Sequence, residues 1–440
     1  MTRKHLPYNV NMREYLAMRK VRVYPKSIRS YKGLISDELY SELIELAKPL
    51  KGARILHINS TSNGGGVAEI LRSEVPLLHD LGLDVSWQVI EAGKEFFDIT
   101  KGMHNALQGN GKIVLNSESR KLYERVNAYN AHLLKAKKEQ WDFVFFHDPQ
   151  PLAIPHFYDG KDFNAIWRCH IHVSPNNKAV WDYLKRFLDE YDAGIFSLKE
   201  FIPGDLPIKK RFVIPPAIDP LTPKNKKMDE LRARKIVEKL GVDTRRPLVT
   251  QVSRFDLWKD PLGVIKAYII TKKRIPELQL ALVGSAASDD PEGMAIYRQL
   301  KDYVKTEKDI KILKDLTEEQ VNAFQTISQI ILQKSIKEGF GLTVSEAMFK
   351  ETPVIGGNVG GIRLQIVDGK NGCLVDSPME CAKRMAMILE DTHLRLKMGR
   401  AGKQIVSKYF LTPRLIRDEL MLMSKFPAKK ENIAKINVLF

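Results

Sequence analysis

Short apolar runs alternating with helical stretches, in two successive series, constrain this chain more than any other feature. In the first half, ARILHIN (53–59), DVSWQVI (84–90), FVFFHDP (143–149), AIWRCHIHV (165–173), AGIFSL (193–198) and KRFVIPPAID (210–219) read as strands. VAEILRSEVPLLHDLG, after the first of them, has a helical pattern. Strands this short and this apolar belong to a parallel sheet covered on both faces. The alternation restarts with PLVTQVSRF (247–255), a helix over 261–273, LQLALVG (278–284), DIKIL (309–313), QIILQKS (329–335), TPVIGG (352–357) and a short edge strand, GCLVD (372–376). Helices near 383–408 close the series, and the Pro- and Lys-rich stretch 220–235 reads as the linker between the two halves. The pattern predicts an α/β fold with two Rossmann-like, doubly wound parallel-sheet domains facing a cleft. One would span 1–222 and the other 223–440, with the closing helix packing back on the first. Ligands of such folds lie at the carboxyl ends of the strands.

Composition narrows the function. At 440 residues, each half is long enough to bury its own core, and 44% hydrophobic with 28% charged residues is an ordinary globular mixture. The three cysteines, Cys169, Cys373 and Cys381, are odd in number and lack metal-ligand spacing, which excludes a disulfide scaffold and points to a reducing, cytoplasmic setting. No run approaches the roughly 18 apolar residues of a membrane helix, and MTRKHLPYNVNMREYLAMRK has no apolar leader segment, so no membrane partner is expected. The formal net charge of +17 favours anionic ligands. No basic run is interleaved with aromatics, so nucleic acid is not an expected partner.

Four segments carry chemistry. Asn63-Gly64-Gly65-Gly66 lies between a strand and a helix, where backbone without Cβ atoms lets a ligand approach and a helix N-terminus favours negative charge. In QKSIKEGFGLTVSEAMFKETPVIGGNVGGI (333–362), Glu338 follows a strand and Gly339 and Gly341 turn the chain. A helix starts near Leu342 and carries Glu346 in its second turn. The N–H groups of Gly341, Leu342 and Thr343 are then available to an anion, with one carboxylate on either side of it. That suits a diphosphate with a sugar at one end and a ribose at the other. Arg254 and Lys259, five apart in SRFDLWKD, suit one phosphate group, as a rigid fork and a mobile point charge. His147-Asp148 ends an apolar strand, and His170 and His172 are read as sharing a strand face; no third ligand has zinc spacing, so no metal is expected. Taken singly, each segment also has a plain reading: a tight turn, a solvated glutamate, exposed cations, a packed histidine.

Together and in this order, the Gly-rich loop, the R-x₄-K segment and the E-x₇-E segment resemble the retaining glycosyltransferases of family four, which have the GT-B fold. HINSTSNGGGVAEIL, HNALQG (104–109), HDPQP (147–151), WRCHIHVS (167–174), PPAIDPL (215–221), QVSRFD, DDPEG (289–293), VNAFQ (321–325) and EGFGLTVSEAM resemble, more narrowly, the trehalose glycosyltransferring synthases of archaea and thermophilic bacteria. That resemblance implies transfer of glucose from a nucleoside diphosphate glucose (ADP-, UDP- or GDP-glucose) to free glucose, with trehalose and a nucleoside diphosphate as products. It assigns Gly64, Gly65 and Gly66 to the donor diphosphate and reacting sugar. It assigns Arg254 and Lys259 to the diphosphate, Glu346 to the ribose, Glu338 to the donor glucose, and His170 to the hexose near the reacting bond. Asp148 falls on the acceptor side, with Asn63, His147 and Arg168 as further acceptor-wall residues. The resemblance implies retention by front-face attack, no tightly bound cofactor and no required divalent metal. Expected partners are small molecules: nucleotide-sugar, glucose and trehalose. A homodimer is the assembly kept open. Three alternatives stand beside this reading: a trehalose phosphorylase, a nucleotide-sugar epimerase of the same fold, and a non-enzymatic polyanion binder.

Overall fold

The computed structural model describes residues 17–109, 113, 115–173, 177–285 and 291–426. Ser174, Asp289 and Asp290, which belong to motifs quoted above, lie outside the described residues.

The first series of strands forms one seven-stranded sheet from β1 (Arg19–Lys20), β2 (Arg54–Asn59), β3 (Asp84–Val89), β4 (Phe143–His147), β5 (Asn164–Cys169), β6 (Ala193–Phe196) and β7 (Lys210–Val213). Its order is β1-β3-β2-β4-β5-β6-β7, parallel except for β1. The second series forms a six-stranded parallel sheet from β8 (Leu248–Arg254), β9 (Gln279–Ser285), β10 (Ile310–Lys314), β11 (Ile330–Gln333), β12 (Val354–Gly357) and β13 (Cys373–Val375). Its order is β10-β9-β8-β11-β12-β13.

The central strands are mostly apolar because both faces are buried, whereas the edge strands β1, β7 and β10 carry exposed lysine or arginine. Along β4, Phe143 and Phe145 enter one core and Val144 and Phe146 the other. Both sheets have a switch point, where the chain runs outward on one side and returns on the other. In the first it falls between β2 and β4, in the second between β8 and β11. Loops leaving the carboxyl ends of adjacent strands diverge at a switch point and open a crevice for ligands. The Gly-rich loop follows β2 and His147-Asp148 ends β4; Arg254 ends β8, and Glu338 follows β11. All four segments singled out by sequence therefore sit at switch points.

Three features depart from the sequence reading. β5 stops at Cys169, because β4 pairs with it only as far as Arg168 and β6 only as far as Cys169. His170 and His172 are consequently loop residues that diverge: the His170 ring stacks on His147, and the His172 ring stacks on Phe201. The linker is more ordered than its composition suggests, since Glu230–Glu238 is a helix packed on the helix Glu318–Ile327. The N-terminal region contributes the edge strand β1 and the helix Asp37–Ala47. After an isolated bridge between Ile218 and Leu411, the helix Thr412–Met423 packs against Asp37–Ala47 and Gly66–Asp80, on the first sheet's side of the molecule. No described helix is long and apolar enough to cross a membrane.

Candidate active site

On the second sheet, Glu338 is held by three donors that converge on its Oε2: Lys259 Nζ at 2.5 Å, Gln333 Nε2 at 3.1 Å and Ser335 Oγ at 3.1 Å. The Lys259 loop is itself fixed from two sides. Gln251 Nε2 donates to the Lys259 carbonyl at 2.7 Å, and the buried Lys334 ammonium pairs with Asp260. Asp260 adopts a left-handed φ of 47° and caps the helix Pro261–Lys272 by accepting from Gly263 N. The Glu338 loop rests on the GGNVGG run. A Cβ on Gly357 would lie 1.9 Å from Ser335 O, and one on Gly360 would lie 1.9 Å from Glu338 O, so only glycine allows the two loops to meet. Gly341, at φ +83°, turns the chain into the helix Leu342–Phe349, and Thr343 Oγ1 donates to Val252 O. First-turn N–H groups lack intrahelical acceptors, which leaves those of this helix suited to an anion.

Glu346 lies in that helix, buried at 2% exposure. Its Oε1 is 2.7 Å from Lys224 Nζ, and its Oε2 accepts from Gln325 Nε2 at 2.9 Å. Lys224 also pairs with Glu69, on the helix after the Gly-rich loop, at 2.6 Å. Against its burial, Lys224 and Lys350 hold the Glu346 carboxyl below its ordinary range.

On the first sheet, Gly64 and Gly65 take φ +72° and +89°, so the loop reaches the helix Gly66–Asp80 by a path that L-residues rarely adopt. Asn63 Oδ1 accepts from Arg72. Asp148 has φ +63°, and its Oδ1 accepts from His170 N at 2.8 Å. Burial pushes the Asp148 carboxyl up to about 7, against the opposing effects of that hydrogen bond and of Arg168.

The two sides meet. A Cβ on Gly66 would lie 3.3 Å from Leu342 Cδ1, so the Gly-rich loop faces the start of the Leu342 helix. A Cβ on Gly339 would lie 3.0 Å from His170 O. Lys337 Nζ donates to Gln108 O at 2.6 Å. Arg254, exposed at the end of β8, faces His104; burial and this guanidinium push the His104 imidazole down to about 4. The structure thus brings Gly64–Gly66, His170 and Asp148 opposite Lys259, Glu338 and Gly341–Thr343, across one cleft.

Comparison with known proteins agrees with this arrangement. The family described as "Trehalose synthase, N-terminal domain" matches residues 57–203, and "Glycosyl transferases group 1" matches 233–405. A trehalose synthase of Rubrobacter xylanophilus is 47% identical over 405 residues, covering 91% of this chain and 97% of that protein. The chain belongs to the trehalose synthase family. Another member, from Thermococcus litoralis, is 44% identical, with 91% of this chain and 97% of that protein covered. A trehalose phosphorylase of Pleurotus pulmonarius is 30% identical, and this chain spans only 54% of its length. Among solved structures, the trehalose-6-phosphate synthase OtsA superposes with a TM-score of 0.68 at 14% identity, covering 85% of this chain and 100% of that one. At that identity the likeness concerns the fold, which is GT-B. This trehalose synthase homologue is accordingly a hexosyltransferase, a glycosyltransferase acting on trehalose.

Two residues expected on the acceptor wall of the trehalose synthase cleft lie elsewhere. Arg168 is 2% exposed and pairs with the fully buried Glu419 of the helix Thr412–Met423. Its strand position carries the side chain under that helix, where the buried guanidinium finds a carboxylate. His147 is 1% exposed, and both ring nitrogens are taken: Nε2 lies 3.1 Å from His57 Nδ1, and Nδ1 lies 3.0 Å from His170 Nε2. It can touch an acceptor only through His170. Sequence reasoning missed Lys224, Glu69, Gln325, His57, His104, Glu74 and Glu419. Lys224 looked like one more lysine of a basic linker, and His57 sat inside an apolar strand with no visible partner.

Proposed function

We propose that this member of the trehalose synthase family transfers glucose from a nucleoside diphosphate glucose to free glucose with retention, releasing trehalose and a nucleoside diphosphate. The observation that carries the reading is the pairing of Lys259 with Glu338 at the second sheet's switch point, opposite Gly64–Gly66. A donor with its diphosphate between the Gly-rich loop and the N-terminus of the Leu342 helix would bring its charge to Lys259 and Arg254. Those cations stabilise the negative charge that grows on the leaving group, in the role a divalent metal takes in other transferases. Glu338, fixed through Oε2, would accept sugar hydroxyls at Oε1. Glu346 would take the ribose hydroxyls, sharing them with Lys224 and Gln325.

The transition state of glycosyl transfer resembles an oxocarbenium ion. Attack from the face that the nucleotide leaves would keep the anomeric configuration, with a donor phosphate oxygen receiving the acceptor proton. Asp148 and the loop around Asn63 would form the acceptor side. Arg168, the cation expected on this wall, is engaged by Glu419, and the exposed Arg19 and Arg72 are bonded to the loop at Ser62 and Asn63, which favours free glucose over glucose 6-phosphate as acceptor. The test is to supply ADP-, UDP- or GDP-glucose with and without free glucose and to identify the products. Trehalose and nucleoside diphosphate in equal amounts, dependent on glucose, support the reading; phosphate-dependent cleavage of trehalose without nucleotide rejects it.

A further inference from the structure

The buried face between β2, β4, β5 and the helices Gly66–Asp80 and Thr412–Met423 holds a continuous polar chain. It runs from His170 to His147 at 3.0 Å, to His57 at 3.1 Å, and from His57 Nε2 to Glu74 Oε1 at 3.5 Å. His57 and Glu74 are fully buried, and Glu419 faces Glu74 while its Oε1 pairs with Arg168. Among the described residues, no other part of the molecule packs three histidines and two carboxylates together in the buried interior.

The polar atoms in this chain fit one pattern of hydrogens. Arg168 supplies one positive charge for two carboxylates, and Glu419 holds it. A second bare carboxylate there would be an uncompensated buried charge. Glu74 is therefore neutral and carries one O–H. Burial and the neighbouring Glu419 push its carboxyl well up, consistent with that state. Within the protein, His57 Nε2, both Glu74 oxygens and Glu419 Oε2 have no partner at strict hydrogen-bond geometry. One arrangement gives each of the four a counterpart: the Glu74 O–H turned toward Glu419, which it faces, and the His57 Nε2–H turned toward Glu74 Oε1 at 3.5 Å. The reverse, with Glu74 O–H donating to His57 Nε2, leaves Glu419 Oε2 without a donor. Once His57 carries its hydrogen on Nε2, its Nδ1 must accept from His147 Nε2–H. His147 Nδ1 must then accept from His170 Nε2–H.

We propose that Glu74, His57 and His147 are positioning residues that fix His170 as the neutral Nε2–H tautomer, leaving Nδ1 as the only ring acceptor at the cleft. Its value at the sugar rests on the reading of His170 as a contact of the donor hexose; the tautomer itself does not. A neutral acceptor beside an oxocarbenium-like centre avoids the repulsion that an imidazolium would add. The groups facing the chain agree in sign. Arg168, from β5, faces His57, His147 and His170, and burial together with this cation holds all three imidazoles below their ordinary range. Asp148 meets His170 only at its backbone N–H.

The test reads the tautomer directly. In the full-length protein labelled with ¹⁵N-histidine, the His170 ring signals are assigned by their loss in His170→Asn. The expected result is a protonated Nε2 and a bare Nδ1 at both pH 6 and pH 8. Glutamine is the isostere of a neutral glutamic acid, donating its amide to Glu419 and accepting from His57. Glu74→Gln should therefore keep this tautomer and a kcat within about threefold of wild type. Glu74→Leu should release the tautomer and lower kcat about 10–100-fold, the scale seen when the group that orients a histidine is lost. KM for donor and acceptor should change little in Glu74→Leu, since neither substrate touches residue 74. An Nδ1–H tautomer or an imidazolium in the wild type overturns the proposal, whether or not Glu74→Leu folds. So does a Glu74→Gln protein as impaired as Glu74→Leu, because Glu74 would then act as a carboxylate. If the tautomer is as expected but no nucleotide-sugar is used, the functional reading fails and the positioning role stands.

Discussion

Replacing Arg168 by methionine removes the one cation that compensates Glu419, with the two side chains 2% and 0% exposed. Breaking a buried ion pair from one side costs about 3–5 kcal/mol, because the remaining charge is left in a low-dielectric site. Solvent screening does not reduce this figure at such burial. Nor can Arg414, a buried guanidinium on the helix that carries Glu419, take over. It is bound to Asp418 at 3.0 Å and to the carbonyls of Pro215 and Pro216. At about 2–4 °C per kcal/mol for a domain of this size, the melting temperature should fall by about 6–20 °C. Methionine matches much of the arginine stem, and the further change Glu419→Leu removes the stranded charge. The double variant should regain at least about 2 kcal/mol in a double-mutant cycle. Urea unfolding followed by circular dichroism would measure all of this. A loss under about 1 kcal/mol for Arg168→Met, or strictly additive losses in the cycle, would refute the claim that this pair ties the C-terminal helix to the first sheet.

Further expectations concern the cleft. Lys259→Ala should lower kcat/KM by on the order of 10²–10³-fold with the fold intact, the scale of losing one charge-stabilising group; steady-state kinetics with near-wild-type turnover would remove Lys259 from the mechanism. Glu346→Gln should mainly weaken donor binding and Glu338→Gln should mainly lower kcat, so titration calorimetry and initial rates on the two variants should diverge. Because burial pushes Asp148 up to about 7, its carboxylate, the better acceptor of hydroxyl hydrogens, becomes the major form as pH rises through that value. Use of the acceptor, read as kcat/KM for glucose, should therefore rise with pH through about 7, and Asp148→Asn should flatten the profile.

Much of the fold was legible because strands buried on both faces are apolar throughout, as in β4. The second-sheet site was legible for a local reason: Arg254, Lys259, Glu338 and Glu346 follow strand ends within a few residues of the turn or helix that aims them. What escaped depends on distant partners. Arg168 and Glu419 are 251 positions apart, and Lys224 and Glu69 are 155 apart. No periodicity or spacing links such pairs, so Arg168 read as a cleft residue and Lys224 as linker charge. The end of β5 escaped for a different reason. The run continues through Ile171 and Val173, both buried in the first-domain core, so hydrophobicity alone could not show that the neighbouring strands had stopped pairing.

The central claim is retaining glucosyl transfer to free glucose, and one measurement addresses it most directly. Nucleoside diphosphate glucose labelled with ¹³C at the anomeric carbon is incubated with unlabelled glucose and the protein, and the products are followed by NMR. The account predicts α,α-1,1-trehalose labelled at one of its two anomeric carbons, formed in step with nucleoside diphosphate and absent without glucose. A β configuration at the labelled carbon, preferential formation of trehalose 6-phosphate when glucose 6-phosphate competes, or label emerging as a different nucleotide-bound hexose without any second sugar would contradict it.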